Sequence, residues 1–157
     1  MGKFSGKVTA EFNPPRRWVL TKPLSYDATD SKGLQTWALE KVGVEVSDTK
    51  ITVPKGFVTD LASVPRICWA FIAPWDVARA AIIHDLLYKT IRQYRWNNKN
   101  LVENKSTIRL AKKAADSIFH QGMKDAEPKV PNWKIYCAWK AVDLFGDKSI
   151  IPNKDNI

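Results

Sequence analysis

The sequence predicts an α+β fold, in which an N-terminal antiparallel β-sheet is followed by three or four packed α-helices. The chain has 157 residues, which is the length of a single domain. Its first 60 residues contain short β-prone runs between prolines and polar turns, whereas apolar residues at helical spacing dominate the rest. Strands followed by helices, without alternation, are typical of the α+β class. We expect one domain over residues 1–146 and a polar C-terminal tail over residues 147–157, which should fray.

Short β-branched or aromatic runs predict the strands. They lie at residues 7–12, 18–20, 42–46 and 51–53. Prolines at positions 14 and 15 end the first run, because proline supplies no backbone N–H to a ladder. Residues 47–49 form a polar turn between the last two runs. Residues 34–40 fit a strand or a helix equally well.

Capping residues and apolar spacing predict four helices after residue 60. The first begins near Ser63, a good N-cap, with Pro65 in its first turn, and ends at about residue 72. The others cover residues 76 to about 90, 106–125 and 131–146. An apolar stripe on the third helix should face the core. It consists of Ala111, Ala115, Ile118, Phe119 and Gly122.

The second predicted helix carries the residues most indicative of chemistry. Its apolar side chains cover every face, as in a buried helix, yet His84 and Asp85 lie in its middle. A buried carboxylate requires a partner or a metal ion. Arg79, the only other charge between Asp76 and Lys89, is almost two turns away from Asp85. The partner must therefore come from another element.

A shared divalent metal ion would satisfy this requirement. Zn²⁺, Mn²⁺ or Mg²⁺ suits a set of ligands rich in carboxylates. The candidate ligands are Asp60, His84, Asp85 and Asp116, and the candidate catalytic residues are Asp60, Arg66, His84 and Asp85. Arg66 would stabilise negative charge in the transition state.

A structural role is the alternative to this chemistry. A buried polar network that locks the sheet to the helices could be formed by Asp60, Arg66, His84, Asp85 and Tyr88. For Asp116, a simple surface ion pair with Lys112, four residues earlier, is a further alternative. His120 is expected on an exposed, basic helix face, so its loss should harm folding less than the loss of Asp85.

Positive charge is concentrated in one stretch of a chain whose formal net charge is +9. Residues 89–113 hold eight lysines and arginines against Glu103 alone. Basic and aromatic side chains together can bind a phosphate backbone or a protein partner. The candidate binding residues are Arg92, Arg95, Trp96 and Lys99. A solvated loop between two helices is the alternative, since no known nucleic-acid-binding motif accompanies the stretch.

Several classes of protein are not indicated. The sequence has no Walker loop, no HExxH, no GxSxG and no glycine-rich dinucleotide turn. No apolar run reaches the ~18 residues of a membrane span, and no signal peptide is visible. Cys68 and Cys137 are too far apart for a CxxC motif, and we expect both to be small buried side chains.

Three stretches of the sequence carry a family resemblance. They read VPKGFVTDLASVPR at 53–66, AAIIHDLLY at 80–88 and KAADSIFHQGM at 113–123. Over residues 17–146 the chain resembles a family of small phage and prophage proteins classed as a domain of unknown function. The family's shared polar positions would fall on Thr59, Asp60, Ser63, Arg66, His84, Asp85, Tyr88 and Asp116. The basic insertion at 89–105 departs from the compact helix connection expected for that family.

The resemblance implies a phage setting, with the protein in the bacterial host cytoplasm or in the virion. Two functions fit. One is a metal-dependent hydrolase, in which the ion supplies hydroxide for attack on a phosphoester or an amide. The other is a non-enzymatic protein that binds a virion or host partner through the 89–113 stretch. Carboxylates in an open cleft would favour the hydrolase. A sealed His84 with a direct Asp60–Arg66 pair would favour the second function.

Overall fold

The computed structural model shows an N-terminal β region followed by three long helices, which confirms the predicted α+β class. The described residues are 2–15, 17–28, 36–61, 77–98 and 104–157. The helix predicted over residues 63–72 lies outside them. None of the described helices is long and apolar enough to cross a membrane.

The strands form two antiparallel sheets. They are β1 (Lys3–Phe4), β2 (Ala10–Asn13), β3 (Arg17–Leu20), β4 (Leu24–Asp27), β5 (Val46–Ser47), β6 (Lys50–Val53) and β7 (Val58–Thr59). One sheet has the order β1-β4-β6-β5 and the other the order β2-β3-β7. The predicted strands at 18–20 and 51–53 are confirmed by β3 and β6, whereas the strand predicted at 7–12 begins only at Ala10.

The strand predicted over residues 42–46 is wrong for most of its length. Helix α1 (Thr36–Lys41) ends there in a Schellman motif instead. The N–H of Val44 donates to the Leu39 carbonyl and that of Gly43 to the Glu40 carbonyl, both at 2.9 Å. Gly43 has a φ of +99°, which favours glycine. Val42 and Val44 are buried because they close the end of α1. Of the three valines, only Val46 lies in a strand.

The β5–β6 turn follows the polar signal in the sequence. Ser47 pairs with Lys50, so only Asp48 and Thr49 connect the two strands. Their φ angles of +47° and +72° are those of a type I′ turn, whose twist matches that of the flanking strands. The turn therefore fixes the register that buries Ile51 and Val53.

Three long helices follow the strands, and the first two of them contact the sheets: α2 (Ala78–Asn97), α3 (Asn104–Asp125) and α4 (Asn132–Ser149). Helix α3 packs against α1, α2 and α4, and its predicted apolar stripe is buried. Asp125 at its end accepts hydrogen bonds from the Tyr26 hydroxyl at 2.8 Å and the Gly2 N–H at 2.9 Å. This carboxylate ties β1 and β4 to the helical layer.

Helices α2 and α3 cross at two small residues. A side chain at Gly122 would place its Cβ 3.3 Å from Cβ of Ala80 and 3.4 Å from Cζ of Phe4. We therefore expect Gly122→Val to lower the free energy of unfolding by about 1–3 kcal/mol, since it overpacks the crossing. Urea denaturation measures this loss. Lys113→Val, on the exposed face of α3, is the matched control and should cost ~0.5 kcal/mol or less. Equal midpoints for the two variants would contradict the tight crossing.

Candidate functional site

A buried carboxylate joins α2 to α3. His84 of α2 is 1% exposed, and its Nε2 lies 3.0 Å from Oδ1 of Asp116 on α3. The Tyr88 hydroxyl donates to the same oxygen at 2.7 Å, and Lys112 Nζ donates to Oδ2 at 2.8 Å. Because a carboxylate oxygen only accepts, Nε2 of His84 carries the proton in this bond. We call these four residues the Asp116 cluster.

The ionised and polar groups of the Asp116 cluster bond to one another. Burial alone would raise the pKa of Asp116, but the hydrogen bonds from His84, Lys112 and Tyr88 outweigh burial and hold this pKa below its ordinary value. Burial, followed by the charge of Asp116 and the hydrogen bond to it, raises the pKa of the Tyr88 phenol. Asp116 is therefore ionised and Tyr88 neutral at pH 7. The Lys112–Asp116 pair exists, but the alternative of a surface pair is wrong, because both side chains are buried.

Aromatic rings and a glycine close the Asp116 cluster. The His84 ring lies 3.9 Å from the ring centre of Tyr88 and 4.9 Å from that of Phe119. On α4, Gly146 faces the Tyr88 hydroxyl so closely that a Cβ would collide with it, and that Cβ would lie 3.1 Å from Cε of Lys112. The absence of a side chain at position 146 thus lets α4 cover the cluster.

An open pocket of about 560 Å³ adjoins the Asp116 cluster, between β7, α2, α4 and the C-terminal residues. Asp60, Asp85, Lys89 and Arg92 supply charged groups to its lining, and Phe57 and Phe145 supply apolar surface. Asp60 is exposed and Asp85 half-buried. The expectation that Asp85 is fully buried is therefore wrong: its side of α2 meets the end of β7 and the pocket rather than the core. We call this cavity the Asp60–Asp85 pocket.

Thr59 at the end of β7 positions both carboxylates. Its hydroxyl donates to Oδ2 of Asp85 and accepts the N–H of Leu61 at 3.0 Å. These two bonds hold the chain on either side of Asp60, where Leu61 adopts a left-handed φ of +55°. Thr59 thus links the strand that carries Asp60 to the helix that carries Asp85.

Arg92 lies in the electrostatic field of both carboxylates. Burial lowers the pKa of its guanidinium, and the charges of Asp85 and Asp60 oppose this shift. Its Nε donates to the carbonyl of Asn156 at 2.7 Å and its Nη1 to that of Ser149 at 3.1 Å. The guanidinium therefore interacts both with the charges of the two acidic groups and with the C-terminal residues.

The basic stretch differs from the expected loop. Most of it is helical, since α2 continues to Asn97 and α3 begins at Asn104. Arg92 and Arg95 bind carbonyls of the chain's own C-terminal residues, Arg95 through Nη1 to Ile150 at 3.0 Å. Trp96 is half-buried, and Lys99 lies outside the described residues. The predicted polar tail, residues 147–157, contains the end of α4 at Ser149 and the carbonyls that accept these bonds.

The four predicted metal ligands are divided between two places. His84 and Asp116 belong to the sealed cluster, and Asp60 and Asp85 line the pocket. Among the residues that the structure describes, no three His, Cys, Asp or Glu side chains are placed to hold one metal ion. Arg66 lies outside the described residues.

Two further expectations are wrong. His120 is half-buried rather than exposed, because its ring stacks on Trp139 at 5.1 Å. Burial and the charge of Lys124 lower the pKa of this histidine. Cys137 is exposed rather than buried, since it lies on the outer face of α4. Cys68 is outside the described residues.

The sequence analysis counted Tyr88 in a polar network and paired Lys112 with Asp116, but it did not place both residues in one buried cluster with His84. The spacing indicated such a cluster, since Tyr88 follows His84 by four residues, and Lys112 precedes Asp116 by the same spacing. Residues four apart on a helix lie on the same face. No comparable signal pointed to Gly146 or to the tail contacts of Arg92, which depend on how distant elements meet.

Loss of the Asp116 charge should be costly at neutral pH and less so in acid. We expect Asp116→Asn to lower the free energy of unfolding by about 3–5 kcal/mol at pH 7, because the buried Lys112 keeps only the exposed Asp147, at 3.6 Å, as a counter-charge. Since the pKa of Asp116 is lowered by folding, its contribution is present above the ordinary Asp value of about 3.9 and is lost as pH falls through the folded value. The difference in free energy of unfolding between wild type and Asp116→Asn should therefore decrease from pH 7 to pH 3, as measured by urea denaturation. A difference independent of pH would contradict this assignment.

The contact between α4 and the Asp116 cluster can be tested with a double-mutant cycle. Gly146→Ala should destabilise the protein, because its new methyl group collides with the Tyr88 hydroxyl. The penalty should be smaller in a Tyr88→Phe background, where that oxygen is missing, with a coupling energy of about 0.5–3 kcal/mol by urea denaturation. If the two changes in the free energy of unfolding simply add, position 146 of α4 does not contact this hydroxyl.

Comparison with known proteins places the chain in a family. The model described as "Protein of unknown function (DUF1353)" matches residues 37–142. The matched region contains Asp60, His84, Asp85 and Asp116, and it ends before the C-terminal residues that bind Arg92. No curated protein and no solved structure matches the chain. The chain belongs to the DUF1353 family of proteins of unknown function.

Proposed function

We propose that the protein is a hydrolase whose reaction takes place in the Asp60–Asp85 pocket. One observation carries the proposal: the carboxylates of Asp60 and Asp85 line the same open cavity of about 560 Å³ as the guanidinium of Arg92. His84 and Asp116, in contrast, are 1% and 4% exposed and bonded to each other. A substrate can reach the carboxylates of the pocket, whereas the Asp116 cluster serves as their rigid support.

A divalent ion held by Asp60 and Asp85 is the metal component of this proposal. Mg²⁺ is usually held in proteins by one or two carboxylates, with waters and substrate phosphate completing its shell. Zn²⁺ takes at least three protein ligands, commonly histidine or cysteine, and Nε2 of His84 is already bonded to Asp116. We therefore favour Mg²⁺ or Mn²⁺ over Zn²⁺. The ion would lower the pKa of a bound water and supply the hydroxide nucleophile.

The charges in the pocket favour a phosphoester over an amide as substrate. Arg17, Lys89 and Arg92 all line it, and guanidinium groups bind phosphate oxygens with two parallel hydrogen bonds. Arg92 would thus take the role of transition-state stabilisation that the sequence suggested for Arg66. The formal net charge of +9 also favours an anionic substrate. Phe57 and Phe145 would contact the apolar part of that substrate.

A second candidate function is the binding of a virion or host protein in a phage setting. Its support is the outer face of α4, where Trp133 is 53% exposed, Tyr136 60% and Leu144 62%. Large apolar side chains grouped on one exposed face are typical of protein interfaces. If this function is the right one, Leu144→Lys should abolish binding of the protein partner. Asp60→Asn and Asp85→Asn should leave that binding intact.

The hydrolase proposal predicts loss of activity in Asp60→Asn and in Asp85→Asn. With Mg²⁺ or Mn²⁺ and p-nitrophenyl phosphate or bis-p-nitrophenyl phosphate, each variant should lose about 100-fold or more of the wild-type rate. Asp143→Asn is the matched control, because Asp143 is exposed on α4 and does not line the pocket. Thermal unfolding should show that the Asp60 and control variants stay folded. If the wild type hydrolyses neither ester, and neither ion changes its melting temperature, the proposal is wrong.

A further inference from the structure

We propose that residues 149–157, here the C-terminal strap, are an autoinhibitory element that occupies Arg92 and is displaced by an anionic ligand. The inference deepens the proposed function, since the ligand would be the phosphate group of the substrate. Asp155, Asn156 and Ile157 line the Asp60–Asp85 pocket together with Arg92. The strap therefore forms one wall of the cavity in which we propose that the reaction takes place.

Two arginines of α2 hold the C-terminal strap in place. Arg92 donates through Nε to the Asn156 carbonyl and through Nη1 to the Ser149 carbonyl, at 2.7 and 3.1 Å. Arg95 donates through Nη1 to the Ile150 carbonyl at 3.0 Å. Hydrogen bonds from an ionised donor are stronger than those between neutral groups. The three bonds therefore hold the strap against α2. Only Arg92 of this pair lines the pocket.

Local hydrogen bonds give the strap a defined shape. Oδ1 of Asn156 accepts the Asn153 N–H at 2.7 Å, and Oδ1 of Asn153 accepts the Asp155 N–H at 2.9 Å. Nδ2 of Asn156 donates to the Ile151 carbonyl at 3.0 Å. Ile150 is 4% exposed and fixes the start of the strap in the core. Side chains that usually indicate a frayed end here build a compact turn.

The strap and an anion compete for the same donors. A guanidinium offers five N–H groups in a fixed fork, and Arg92 uses Nε and Nη1 for the two strap carbonyls. A phosphate bound through an edge that includes Nε must take the place of the Asn156 carbonyl. The carboxylate of Asp155, which lines the same pocket, also repels an anion. Binding of a phosphate through the Nε edge of Arg92 and closure by the strap therefore exclude each other.

The test measures binding of inorganic phosphate to the full chain by calorimetry, without turnover. Arg95→Gln loosens the strap but leaves the pocket lining unchanged, so it should bind phosphate about tenfold more tightly than wild type. Asn156→Ala, which removes two bonds inside the strap, should shift the affinity in the same direction. Arg92→Gln should abolish binding. Arg109→Gln, an exposed position on α3, controls for the lost charge and should bind no more tightly than wild type.

Hydrogen exchange gives the second readout. Saturating phosphate should speed amide exchange at Asn153 and Asp155 in the wild type, because the turn opens as the strap leaves Arg92. The proposal is overturned if no variant binds phosphate, if Arg92→Gln binds it like wild type, or if Arg95→Gln binds it no better while these amides stay protected. None of these outcomes depends on catalysis, so failure of the hydrolase proposal is seen separately in the ester assay.

Discussion

The ionised carboxylate of Asp116 is the interaction on which the arrangement of the helices depends. It lies on α3, receives hydrogen bonds from two residues of α2, and is paired with a lysine of its own helix that also faces α4. Removal of a charge from water is costly unless every partner is in place. The three helices must therefore approach in one way, because a shift of α2 would leave a buried charge or donor unpaired and a shift of α4 would uncover the cluster. A purely apolar contact would allow more than one packing.

This constraint also determines where the accessible carboxylates lie. His84 and Asp85 are neighbours on α2 and point about 100° apart. Once the histidine is bonded to Asp116 in the core, the aspartate must project from the side of the helix, towards β7 and the pocket. Thr59 then connects this carboxylate to the strand that carries Asp60. The buried network and the accessible pocket are thus two faces of one helix, and the first orients the second.

The sequence was sufficient to predict features that arise from local chemistry. The fold class, β3, β6 and the three long helices follow from periodicity and prolines, and the buried stripe of α3 follows from its spacing. Val42 and Val44 misled the prediction because alternating valines fit a strand and a Schellman cap equally well. The division of the predicted metal ligands could not be foreseen, because it depends on which face of α2 meets α3. The docking of the tail depends on Arg92 and Arg95 reaching backbone carbonyls, which leave no mark in the sequence.

Tyr88 belongs to both parts of the molecule, since its hydroxyl binds Asp116 and its side chain also lines the pocket. A change that reshapes the pocket at this position therefore also weakens the core, so the two properties cannot vary independently there. Lys89, Arg17 and Phe145 line the same cavity without bonding to Asp116. Related proteins that act on different ligands would be expected to diverge at these three positions while they keep the tyrosine. Evolutionary change of the pocket is then confined to Lys89, Arg17 and Phe145, where a substitution lowers the stability of the protein only slightly.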